Sequence, residues 1–186
     1  MPAFAGSRKR PLAESQPFPA VPSPGGAAGH GPAVACMIGI NVRFFDTNIL
    51  VYMFDADAAD KKEQACARFE TEASAGRVLL STQVLQEFYV AVTRKLSVSL
   101  EPEAAEEVVR NLSMLPIIGV NAERVLSAIS RSRRMQLSFW DTLIIETALS
   151  GGADRLLTED LQHGQTIDGL LIENPFFNGN RGRNEN

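Results

Sequence analysis

The chain has 186 residues, 45% apolar and 22% charged, which is enough for one domain with a hydrophobic core and is not the composition of a disordered protein. A net charge of −4 excludes a whole-molecule positive field, so any nucleic-acid partner would need local basic patches or metal ions. Two cysteines, Cys36 and Cys66, exclude a disulfide framework, no CxxC or histidine cluster points to zinc, and no apolar run reaches the roughly 20 residues of a membrane helix, so a cytoplasmic protein without a membrane partner is expected.

Residues 1–36 are rich in Pro, Gly, Ala and Ser and bury too little to offset the entropy of ordering them, so they are expected to form a disordered extension. Arg8, Lys9 and Arg10 are followed by Pro11 and polar residues where a secretory signal would be apolar. Met37 stands just ahead of the first strand and is a second candidate translation start. The folded unit is expected over 37–177, with a polar tail over 178–186.

Strands are expected at Arg43–Phe45, Arg77–Ser81, Leu115–Val120 and Asp154–Thr158, with a short fifth in "LLIEN". Helical patterns lie between them, at about Ala58–Ala75, Gln83–Lys95, Pro102–Met114, Ala122–Arg134 and Phe139–Leu149. Pro102 sits in a first helical turn, where its missing N–H is harmless, and Gly151 and Gly152 stop the last helix. Alternating strands and helices predict an α/β fold of three layers, α/β/α, around a central, mostly parallel sheet.

In such sheets ligands sit beyond the carboxyl ends of the strands. Asp46 ends the first strand, Asp160 follows the fourth, Glu87 lies in the helix after the second, and Asp141 lies in the first turn of the helix before the fourth. Each has a bland reading. Asp46 is equally a helix cap, Ser138-x-x-Asp141 is a capping box, Asp160 is a turn acid and Glu87 is a solvated glutamate. Glu87 nonetheless shares a narrow polar seam with Gln83 and Arg94, beside a stripe of Leu85, Phe88, Tyr89, Val92 and Leu96. "RFFDTNILVY" and "SFWDTLII" embed Asp46 and Asp141 in apolar sequence, where an unpaired charge costs several kcal/mol, and only Arg43 and Arg155 are near in sequence. Converging carboxylates repel one another, and a hard divalent cation reverses that repulsion.

These motifs resemble those of the PIN-domain ribonucleases, in particular the VapC-type toxins. "FFDTNILVY" resembles the first motif, which implies Asp46 as a metal ligand with Asn48 beside it. "LQEFYVAVTRK" resembles the second, with Glu87 as its acid, and "FWDTLIIETAL" the third, with Asp141 as the other principal metal ligand. "LLTEDLQHGQTIDGLLIENPF" resembles the last block, with Thr158 and Asp160 lining the site; Asp160 rather than Glu159 is taken as the fourth acid. The resemblance spans 37–177 and rests on four motifs in order, not on DTN alone.

The resemblance implies an endoribonuclease that hydrolyses RNA phosphodiester bonds with Mg²⁺, or Mn²⁺ in its place, using Asp46, Glu87, Asp141 and Asp160. It also implies the toxin of a toxin–antitoxin pair, held by an antitoxin protein. The apolar helices after Ala58 and Glu101 are expected to dock that antitoxin or a second copy in a homodimer. Arg94 with Lys95, and Arg131 with Arg133 and Arg134, are candidate RNA contacts, or equally solvated helix ends. Phe139 and Trp140 are read as core in preference to base-stacking residues, His163 as a turn residue, and Cys66 as core. The competing readings are a phosphatase with an aspartyl nucleophile, which needs an acid where Asn48 stands, and a PIN-like module that binds RNA or a partner without cutting.

Overall fold

A computed structural model describes residues 41–177; the expectations for 1–36, for Met37 and for 178–186 fall outside the described residues. The elements run β1 (Arg43–Phe45), α1 (Thr47–Tyr52), α2 (Ala59–Ser74), β2 (Val78–Ser81), α3 (Thr82–Arg94), α4 (Pro102–Leu112) and β3 (Ile117–Ile118). They continue with α5 (Ala122–Met135), α6 (Phe139–Ser150), β4 (Arg155–Leu157), β5 (Thr166–Ile167) and β6 (Leu170–Glu173).

The strands form one six-stranded sheet in the order β3-β2-β1-β4-β6-β5. All neighbours are parallel except β5, which runs antiparallel to β6. The α/β architecture with a mostly parallel sheet is the one expected from the alternation of strands and helices. The expected third strand contracts to Ile117–Ile118, and β5 is a strand that the alternation does not reveal. Asp168 (φ 50°) and Gly169 (φ +90°) form the two-residue turn that joins β5 to β6, both in the left-handed region that such hairpin turns need.

The strands are apolar because the sheet is covered: Phe44, Phe45, Leu80, Leu156 and Leu157 are fully buried. Phe45 meets Phe69 of α2 edge to face at 5.5 Å. Helices α1 to α4 are linked by α1–α2, α1–α3 and α3–α4 contacts, while α5 packs on α6. In α3 the buried face is Val84, Phe88, Ala91 and Val92, spaced at one helical turn and two, while Tyr89 is exposed, unlike its place in the expected stripe. The side chains of Ser81, Asn121 and Ser138 cap the starts of α3, α5 and α6.

The chain leaves β1 towards β2 and β3, then crosses back to β4 on the other side of β1. Ligands in open α/β sheets bind at such a switch point, beyond the strands' carboxyl ends. The ends of β1 and β4 are tied there by the Asp46 amide donating to the Leu157 carbonyl at 3.0 Å.

Candidate active site at the switch point

Asp46 is the first residue past β1 and the N-cap of α1; it is 7% exposed. Its Oδ1 accepts from the Thr47 amide at 2.6 Å, and its Oδ2 accepts from the Thr158 hydroxyl, also at 2.6 Å. The cap therefore occupies one carboxylate oxygen and leaves the other in a polar cluster. Asn48 projects one amide nitrogen at Asp46 Oδ2 (3.1 Å), the Thr158 hydroxyl (3.2 Å) and Asp160 Oδ2 (2.9 Å). Its carbonyl oxygen is buried without a donor. The Asp160 amide donates back to the Thr158 hydroxyl at 3.2 Å, which closes the loop after β4 onto the network.

Glu87 joins from α3. The Thr47 hydroxyl donates to one of its oxygens at 2.8 Å and the buried Gln83 amide to the other at 2.9 Å. Phe88, the next residue, is fully buried against Phe54, and this packing turns Glu87 towards α1. Of the polar seam expected from Gln83, Glu87 and Arg94, Gln83 is buried and half-buried Glu87 opens on the site, while Arg94 is exposed.

Burial pushes the Asp46 carboxyl up to about 7, against the Thr158 and Thr47 hydrogen bonds that lower it, with the charges of Asp160 and Glu87 raising it further. Among the described residues no ion pair reaches Asp46, Glu87 or Asp160. The two arginines near in sequence are committed elsewhere: Arg43 to Asp154 at 2.6 Å and Arg155 to Glu173 at 2.8 Å. Glu159 is taken up by Lys61 and the Tyr52 hydroxyl, and so it is Asp160 that faces Asn48.

Three of the four expected acids meet here. Asp141 lies in the first turn of α6 as expected, its amide donating to the Ser138 hydroxyl at 3.1 Å. Its carboxylate is neither among the charges that act on Asp46 nor on the cleft wall. That cleft, about 690 Å³, is lined by Asp46, Asn48, Glu87 and Asp160, and by Tyr52, Gln86, Val90, Lys95 and Trp140. Trp140 was expected in the core; it is 60% exposed because the buried residues of α6 begin at Thr142. Sequence reasoning also missed Tyr52 and Lys61. Their pattern gives no sign that a cation stacked over Tyr52 secures the residue beside Asp160.

Among the described residues no three His, Cys, Asp or Glu side chains stand in metal-ligating geometry. The donor set still suits a hard ion that keeps several waters and takes one or two carboxylates. Asp46 is a carboxylate without a counter-charge, and the Asp160 carboxylate stands across the Asn48 amide nitrogen from it.

The candidate RNA contacts divide. Arg131 is 6% exposed and bonded to Glu146 (2.6 Å) and Asp168 (2.8 Å), so it holds α5, α6 and the β5–β6 turn together and does not face a ligand. Arg94, Lys95, Arg133 and Arg134 are exposed. The larger apolar residues of α2 and α4, such as Phe69, Val108 and Leu112, are buried, and the exposed large ones among the described residues lie on α3 (Tyr89, Val90), on α5 (Leu126, Ile129) and at Val98, Met114, Trp140 and Phe177. His163 lies in a turn, where its Nδ1 accepts from the Asn174 amide, and half-buried Cys66 packs against the core.

The PIN domain model matches residues 43–166, from the first residue of β1 to the start of β5 and across every site residue named above. The chain belongs to the PIN domain family. No curated protein matches the sequence significantly. This PIN domain is similar in fold to a toxin–antitoxin complex from Klebsiella pneumoniae at 20% identity and a TM-score of 0.53, covering 72% of this chain and 98% of that one. It is also similar to a DNA-bound VapBC from Salmonella typhimurium, at 23% identity and a TM-score of 0.52, with 72% and 98% covered. A third is VapBC2 from Rickettsia felis bound to a promoter DNA fragment, at 23% identity and a TM-score of 0.52, with 71% and 97% covered. Among the described residues no helix is long and apolar enough to cross a membrane.

Proposed function

We propose that this PIN domain is a Mg²⁺-dependent endoribonuclease, with Mn²⁺ able to substitute, and the toxin of a toxin–antitoxin pair. The observation that carries the reading is the meeting of Asp46, Glu87 and Asp160 at the sheet's switch point without a basic partner. A stability role does not account for it, because a lone buried carboxylate beside two like charges is costly unless a cation joins it.

In this reading Asp46 would hold the ion, and Asp141, which does not line the cleft as it stands, would become the second ligand by turning towards Asp46 from the first turn of α6. The ion supplies Lewis-acid chemistry: it offsets charge on the phosphodiester and makes water a better nucleophile. Asp46 is kept in place by Thr158 and Thr47, and Glu87 by Thr47 and Gln83, so each carboxylate is oriented before substrate arrives. Glu87 and Asp160 accept protons from water on the open side of the cleft. Lys95 on the same wall, with the exposed Arg94 and Arg134 at helix ends as further contacts, would hold the RNA backbone.

The antitoxin partner is supported by the similarity in fold to a toxin–antitoxin complex and to VapBC complexes. Incubating the purified protein with RNA in Mg²⁺ and in chelator tests the activity. Metal-dependent cutting is expected, and binding without cutting would favour the non-catalytic module.

A further inference from the structure

Trp140 is the chain's only tryptophan, and it is 60% exposed at the second position of α6. Phe139 braces it, with ring centroids 5.2 Å apart and planes at 67°. An exposed indole is costly in water, yet this one stands on the wall of the cleft that contains Asp46, next in sequence to Asp141. The same wall carries Val90 and Ala91 of α3 and, one residue past that helix, Lys95.

We propose that Trp140 is a stacking platform for an unpaired base of the RNA substrate, with Lys95 on a neighbouring phosphate. The proposal rests on the nuclease reading and narrows its substrate to single strands or splayed loops. Two observations favour a base. Lys95 is the only basic side chain among the described residues lining the cleft, and the chain's net charge is −4, so charge alone is a weak source of affinity here. Stacking on an aromatic ring supplies affinity without many cations, and every base has a face to offer. Bases inside a duplex are already stacked on one another and cannot reach an indole on a cleft wall. The apolar side chain of Val90 on that wall suits the flat face of a base and gives nothing to a phosphate.

The test uses the full chain with Ca²⁺ in place of Mg²⁺. Tryptophan emission, which reports Trp140 alone, is followed as a single-stranded RNA oligonucleotide, or the same sequence annealed to its complement, is added. Quenching by the single strand and not by the duplex is expected. Trp140→Ala should raise Kd for a labelled oligonucleotide, and KM for cleavage, about tenfold with kcat nearly unchanged, while Trp140→Phe restores most of the loss. Binding without quenching, or an unchanged Kd and KM in Trp140→Ala, overturns the platform. Emission that shifts with protein concentration but not with RNA also overturns it, and assigns the indole to a protein interface. Metal-dependent cleavage without quenching removes the platform alone; quenching without any cleavage in Mg²⁺ keeps the platform and removes the nuclease reading. Neither binding nor cleavage removes both.

Discussion

The Thr158 hydroxyl, at the end of β4, donates to Oδ2 of Asp46, at the end of β1, over 2.6 Å. The same hydroxyl accepts from the Asn48 side chain and from the Asp160 amide. One small side chain therefore couples the first acid to the loop that carries the fourth.

Thr158→Val keeps the shape and removes all three interactions. A stability loss of roughly 1–2 kcal/mol is expected from the buried groups left unpaired, together with a clear fall in cleavage, while Thr158→Ser retains both. Thermal melts and cleavage rates check this, and a valine variant that behaves as wild type would detach Thr158 from the site.

The elevated Asp46 carboxyl has a consequence for pH. Between 3.8 and about 7 the folded chain keeps a proton that the unfolded chain has lost, so this group's contribution to stability falls as pH rises through that window and levels off above it. A divalent cation binds the ionised form and reverses the loss. The rise in Tm caused by Mg²⁺ should therefore be larger at about pH 8 than at about pH 6, and Asp46→Asn should remove it. An equal rise at both values would contradict the assignment of Asp46 as a ligand.

Lys61 and the Tyr52 hydroxyl hold Glu159, directly before Asp160. Lys61→Met should loosen that loop without touching an acid of the site. Partly exposed pairs contribute less than about 1 kcal/mol, so kcat/KM should fall by no more than about fivefold, with Tm little changed. Loss of all activity would mean that Lys61 acts on substrate directly.

Arg131 and Arg134 should separate stability from binding. Arg131→Met breaks a buried link to Glu146 and is expected to cost roughly 3 kcal/mol while leaving RNA affinity in the folded fraction unchanged. Arg134→Ala should leave Tm unchanged and weaken RNA binding in a salt-dependent way. Melts and titrations at two salt concentrations distinguish them.

The β–α alternation was legible because each strand is a short apolar run and each helix carries a cap or a stop, such as Ser138 before α6 and Gly151 after it. Asp46, Asp160 and Glu87 could be placed together because strand ends and the next helix share one edge of a parallel sheet. The β5–β6 hairpin was written in Asp168–Gly169, but its two-residue strand is too short for alternation to register. The fate of Arg131 was not legible: its partners Glu146 and Asp168 come from other elements, and in sequence it looks like any cation at a helix end. Trp140 misled for a related reason, since apolar residues on both sides of Asp141 give no phase for the helix's outward face.

Cleavage of RNA by the wild-type chain and by Asp46→Asn, each in Mg²⁺, in Mn²⁺ and in chelator, bears most directly on the site. Cutting by the wild type in either metal, none in chelator, and none by the variant under any condition is the predicted result. Cutting by Asp46→Asn at the wild-type rate, or by the wild type in chelator, would contradict it.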